Sequence, residues 1–205
     1  MILEFFVTFV MRTVLSMVLM VSLAACDRGS GEAGQEFADG KAQEEGETIE
    51  SGQGMVGKLD ISQRGAEMVD TSFQAPDGST VKLSDFTGKP LLVNIWATWC
   101  APCIVEMPML DKLAAREKDR LKVLVVSQDI QGAEKVMPFF ERGNFQELEP
   151  YIDPENGLSF GFGSGLMPTT VLYDAQGKEV WRVIGAMDWD GAKAATLMED
   201  TLAES

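Results

Sequence analysis

Pro90-Leu91-Leu92-Val93-Asn94-Ile95-Trp96-Ala97-Thr98-Trp99-Cys100-Ala101-Pro102-Cys103 is the stretch that decides the fold. Pro90 to Trp96 is an apolar run of the length of a strand buried on both faces. Ile104-Val105-Glu106-Met107-Pro108-Met109-Leu110-Asp111-Lys112-Leu113 follows with amphipathic spacing, so a helix opens at the two cysteines. A helix N-terminus carries unpaired N–H groups and partial positive charge, which stabilise a thiolate and lower a cysteine pKa. Two thiols one turn apart can close a disulfide, and Cys100 is placed to attack the disulfide of another protein. A single C-x-x-C after a strand and at the start of a helix reads as thiol–disulfide chemistry.

Two blander readings weigh less. Structural zinc usually takes four Cys or His ligands, and this chain has three Cys and no His. A purely structural disulfide across so short a loop removes little chain entropy and therefore stabilises little.

Three segments carry a family resemblance: Phe73-Gln74-Ala75-Pro76-Asp77-Gly78, Leu83-Ser84-Asp85-Phe86-Thr87-Gly88-Lys89, and Leu92 through Cys103. Together they resemble the TlpA/ResA family of membrane-anchored, thioredoxin-like reductases that face the extracytoplasmic space. The match runs from about Ser72 to Leu202 and includes W-C-x-P-C, a Glu three residues after the second Cys, and Met167-Pro168-Thr169-Thr170. The resemblance implies an α/β, thioredoxin-like fold: a central mixed sheet flanked by helices, with an N-terminal β-hairpin extension. It implies that Cys100 and Cys103 form the redox-active disulfide, with Cys100 the exposed nucleophile and Cys103 the resolving thiol. It implies a cis bond before Pro168 facing the C-x-x-C, and client contacts from Trp99, Ala101, Pro102, Met167, Pro168 and Thr169. Disulfide-containing clients are implied, such as apocytochromes c or oxidase copper-site proteins, with electrons from a DsbD/CcdA-type membrane donor. No cofactor beyond the disulfide, and no metal, is expected.

Glu106 matches the acid that this family places on the helix after the motif, where thioredoxins instead have a buried carboxylate at the position of Asn94. Its spacing of three from Cys103 puts both on one helical face. A carboxyl in an apolar setting has a raised pKa, which makes Glu106 a candidate proton carrier. Pro108, inside the helical pattern, is expected to kink it. Met107 and Met109 are soft enough to ligate metal beside two thiols, although Met at such positions more often fills core. The alternative function is therefore a copper-handling thioredoxin-like protein in which the reduced cysteines hold Cu(I).

The chain begins with a different signal. Val14 to Ala25 is apolar, is preceded by Arg12, and ends in Leu23-Ala24-Ala25-Cys26. That is a secretory leader, and Leu-Ala-Ala-Cys resembles a lipobox, which would make Cys26 the lipidated first residue of the mature chain. Met11 followed by Arg12 opens a more usual leader than Met1. An uncleaved transmembrane helix over Phe5 to Ala25 is the competing reading. With Cys26 lipidated, the other two cysteines form one pair and none is left over. Three segments are thus expected: 1–25 leader, 26–60 acidic disordered linker, and 61–205 thioredoxin-like domain. The place is the periplasmic side of the inner membrane, lipid-anchored. Glu4 and Arg12 cancel, so the mature chain keeps the formal charge of −15, which leaves no electrostatic footprint for nucleic acid.

Elsewhere the pattern predicts a hairpin turn at Asp77-Gly78 and a helical turn at Ser84-Asp85-Phe86. A second central strand is expected at Leu121 to Val126, then a helix over Ala133 to Arg142. A short edge strand at Tyr151-Ile152-Asp153 precedes a helical turn at Leu158 to Phe162. Val171 to Asp174 and Glu179 to Ile184 form an antiparallel edge, closed by a helix from Gly191 to Leu202. Met55 to Asp70 receives no assignment.

Overall fold

The apolar run becomes the centre of a nine-stranded sheet. The computed structural model describes residues 47–50 and 55–203; the candidate leader, Cys26 and most of the linker lie outside them. The strands are β1 Thr48–Glu50, β2 Val56–Asp60, β3 Ser72–Gln74, β4 Thr80–Lys82, β5 Leu91–Trp96, β6 Lys122–Ser127, β7 Pro150–Ile152, β8 Thr169–Tyr173 and β9 Glu179–Gly185. Their order in the sheet is β1-β2-β9-β8-β5-β6-β7-β3-β4. β5, β6 and β7 run parallel, and β8 returns antiparallel to β5.

Every residue of β5 is buried, because both faces of the sheet are covered. Successive side chains alternate between faces. Leu92 and Trp96 join one cluster with Met107, Leu110 and Leu113 of helix α1 (Ala101–Glu117), Val136 of α2 (Ala133–Gly143), and Met198 and Leu202 of α4 (Ala192–Ala203). Leu91, Val93 and Ile95 join another with Phe73, Leu83, and Leu158 and Phe162 of α3 (Gly157–Phe162). The result is the mixed sheet with flanking helices that the family resemblance implied.

The predicted hairpin is present, with Phe73 opposite Val81 and Gly78 at φ +83°. Lys82 N–H donates to the Asp85 carboxylate at 2.8 Å, which starts the 3-10 turn Leu83–Phe86. α1 runs through Pro108 without a break to Glu117.

Two edge expectations are corrected. The strand at Tyr151 is interior, because β3 pairs along its free side through Gln74 and Ile152. β9 is not an edge either, since β2 covers it over four positions from Gly57–Gly185 to Asp60–Arg182. The sheet also takes in residues that the 26–60 linker reading covered. Ile49 is buried between exposed Thr48 and Glu50, the alternation of a strand too short to show in composition.

Candidate active site

The parallel strand β5 ends at Trp96, and Cys100 is the N-cap residue of α1, with extended backbone at φ −86°, ψ 97°. Its N–H donates to Ala97 O at 3.0 Å, and its carbonyl accepts the Ile104 N–H at 3.1 Å. Pro102 sits within the first turn, where its missing N–H costs no intrahelical bond. Cys100 and Cys103 are joined in a disulfide with Cα atoms 5.3 Å apart. The expectation of an exposed Cys100 is corrected: 6% of its surface is accessible, against 1% for Cys103, because the closed pair belongs to the buried cluster over β5. Trp99, Ala101 and Pro102 are exposed around it, Trp99 most clearly at 68%.

β8 brings the second loop to the same end of the sheet. Thr169 pairs with Ile95, one residue before the end of β5, so the Met167-Pro168 step lies where the chain leaves for Cys100. The Met167–Pro168 bond is cis. Pro168 O accepts the Gly185 N–H at 2.9 Å. Thr169 does not face outward. It is fully buried, and its hydroxyl donates to Leu166 O at 2.8 Å. Met167 is half-buried and packs against both core clusters.

Glu106 is fully buried one turn beyond Cys103. Oε1 accepts the Met187 N–H at 2.6 Å and the Trp189 indole N–H at 3.0 Å. Oε2 lies 3.5 Å from the Asn94 amide nitrogen, which donates to Thr170 Oγ1 at 2.9 Å. Burial pushes the Glu106 pKa up from 4.5 to about 8, against the opposing pull of the Met187, Trp189 and Asn94 donors. Such a group can hold a proton at neutral pH and release it to a mild base. Asn94 Oδ1 is buried without a partner.

Met187 and Trp189 escape sequence reading because they stand 81 and 83 residues from Glu106. Asp129 escapes it too. It is 1% exposed at the end of β6, and its carboxylate bonds to Thr98. The faint signal is an acid two residues past an apolar strand, where a chain normally turns to solvent. Among the described residues, no three Cys, His, Asp or Glu side chains converge as a metal site.

A buried strand delivering a dithiol pair to a helix N-terminus, with a proton-holding acid one turn deeper, is the equipment for exchanging disulfides between proteins. The comparisons with known proteins agree: residues 63–198 match the Redoxin family model. The chain belongs to that family, as a thioredoxin-like thiol:disulfide oxidoreductase of the ResA/TlpA type. It is 32% identical over 116 residues to thioredoxin-like protein YneN of Bacillus subtilis, covering 56% of this chain and 68% of that one. It is 29% identical over 128 residues to the thiol-disulfide oxidoreductase ResA of Bacillus anthracis, covering 62% and 72%. A crystal structure from Chlorobium tepidum, assigned as thiol:disulfide interchange protein DsbE, superposes with a TM-score of 0.61 at 26% identity, over 68% of this chain and 97% of that one. The exposed lipoprotein thioredoxin Etrx1 of Streptococcus pneumoniae gives 0.54 at 28% identity, over 63% and 98%.

Proposed function

We propose that this oxidoreductase works as a reductant of protein disulfides outside the cytoplasm, with Cys100 as nucleophile and Cys103 as resolving thiol. The observation that carries the reading is the Cys100–Cys103 pair at the start of α1 with Glu106 buried on the same helix face. In the reduced protein the Cys100 thiolate, stabilised by the helix N-terminus, attacks one sulfur of a client disulfide. A mixed disulfide forms and the client's other sulfur leaves as a thiolate. Cys103 passes its proton to the ionised fraction of Glu106, which grows as pH rises toward about 8, and attacks Cys100 Sγ, which releases the second client sulfur as a thiolate and closes the pair. Two electrons pass to the client, and a membrane carrier of the DsbD/CcdA type returns them. Trp99, Ala101, Pro102 and the Met167-Pro168 step form the client contact. Apocytochromes c and oxidase copper-site proteins are the client classes that the family resemblance favours. The reaction needs no cofactor beyond the pair itself.

The anchor belongs to the same proposal. Residues 1–25, read from Met1 or from Met11, are a leader, and Cys26 carries lipid. The similarity to Etrx1, which is described as an exposed lipoprotein, supports that placement. Among the described residues no helix is long and apolar enough to cross a membrane. Labelling of cells with a tagged fatty acid should mark the parent and leave Cys26→Ser unmarked. An unmarked parent in the membrane fraction would dismiss the lipid anchor.

The decisive experiment follows insulin disulfide reduction by the reduced protein and titrates its pair against a thiol redox buffer. Cys100→Ser should abolish turnover, and Cys103→Ser should accumulate a mixed disulfide. The pair should titrate between about −270 and −200 mV, and a value near about −120 mV would mark an oxidant and end the reductant reading.

A further inference from the structure

Asp129 is a buried acid that the exchange mechanism does not use. It is 1% exposed, yet both of its oxygens are engaged. Oδ2 accepts the Thr98 N–H at 2.8 Å and the Ser127 hydroxyl at 2.8 Å, and Oδ1 accepts the Thr98 hydroxyl at 2.7 Å. All three lie at ordinary hydrogen-bond lengths. A carboxylate is among the costliest groups to bury, so one kept at this place implies that its several acceptor sites are needed together.

Two of those three bonds converge on one residue of the active-site loop, Thr98. β5 and β6 make their last ladder pair at Trp96–Ser127. Beyond it the first chain has to cross from the sheet to α1 through Ala97, Thr98 and Trp99. By gripping Thr98 at both backbone and side chain, Asp129 continues the link between the two strands past the end of the ladder. The next residue on one side is Trp99 and on the other Ile130, 68% and 73% exposed. Large apolar side chains held this far into water, Trp99 next in sequence to Cys100, are suited to gripping a client polypeptide.

We propose that Asp129 is a positioning residue of the redox site, clamping Thr98 so that Cys100, Trp99 and Ile130 meet the client in fixed geometry. The inference rests on the reading of Cys100 as the attacking thiol. Misplacement of a reacting group by about an ångström costs about a hundredfold in rate, so loosening the clamp should be visible in turnover.

Insulin reduction by the full chain tests it. Asp129→Ala should lower kcat/KM by about tenfold or more. Asp129→Asn should stay within about threefold of the parent, because its amide oxygen can accept the Thr98 N–H while its NH2 donates to the Thr98 hydroxyl. This rescue separates a clamp from a general loss of stability or of charge. A folded Asp129→Ala with parental kcat/KM overturns the proposal, and so does an Asp129→Asn as impaired as the alanine variant. Should Asp129→Ala fail to fold, Thr98→Val decides, since it deletes only the hydroxyl bond: a fall in kcat/KM supports the clamp and parental kcat/KM overturns it. Residual insulin reduction by Cys100→Ser would instead strike the underlying assignment, and is read independently of the Asp129 series.

Discussion

Glu106 carries its oxygens into a fully buried place with three N–H donors. Its pKa of about 8, against 4.5 in the unfolded chain, makes folding depend on pH. Below pH 4.5 the carboxyl is protonated in both states and its contribution is fully present. Between 4.5 and about 8 the unfolded chain releases the proton and the folded chain keeps it, so stability falls as pH rises and the loss is complete above about 8. At about 1.4 kcal/mol per unit, the full span is on the order of 5 kcal/mol. Glu106→Gln keeps an acceptor for Met187 and Trp189 and does not ionise. Its NH2 also gives a donor to Asn94 Oδ1, unpaired in the parent, once the Asn94 amide turns. Urea unfolding at a series of pH values should show the parent losing stability relative to Glu106→Gln between pH 5 and 9. A constant difference across that range would mean that Glu106 does not hold its proton in the folded state. The acid itself is legible from its spacing to Cys103, but two of its three donors, Met187 and Trp189, arrive from beyond β9, and no local pattern announces them.

At the scale of elements, legibility followed burial. β5 reads correctly because a strand covered on both faces has to be mostly apolar, and five of its six residues are. α1 reads because Cys103, Glu106, Met107, Leu110, Leu113 and Ala114 repeat at helical spacing toward the sheet. β7 and β9 read as strands in the sequence but not as interior ones. Edge position depends on which chain pairs alongside, and here the partners are the three-residue β3 and the five-residue β2. Neither partner has enough composition to advertise itself. The loop before Pro168 shows a similar dependence on distant support. Arg182 of β9 makes a bidentate pair with Glu179 at 2.6 and 2.7 Å, and its remaining nitrogen donates to Phe162 O at 2.6 Å, at the end of α3. That tie holds the start of the loop, and Ser164 and Thr169 hydroxyls 2.8 Å apart hold its end. The cis-proline step is thus braced by an ion pair 8% and 2% exposed, invisible in the motif that named the site.

Over the whole molecule, strand β2 is coupled to the redox end of the sheet. Gly57 of β2 lies opposite Gly185 of β9, and Gly185 N–H donates to the carbonyl of Pro168. The two backbones approach too closely for side chains. A Cβ on Gly57 would meet Val183 Cγ1 at 2.8 Å and Ala186 O at 2.9 Å, and Gly185 combines φ +96° with a Cβ site 2.6 Å from Val56 O. Ile49 and Met55 on either side of this contact are buried, and Ile49 shares a core cluster with Met187 and Trp189, the partners of Glu106. Displacing β2 therefore disturbs both the loop that positions Pro168 and the loop that holds the Glu106 proton. Gly57→Val forces that displacement, because Val183 and a backbone carbonyl have to yield. Overpacking of this kind costs about 1–3 kcal/mol, or a fall in Tm of about 2–12 °C for a chain of this size. The same variant should lose insulin reduction in proportion to its loosened Pro168 loop, even at temperatures where it is fully folded. A lower Tm with unchanged kcat/KM would show that β2 only stabilises the sheet. A joint fall would show that the part of the chain leading toward the proposed anchor also sets the geometry of the active site.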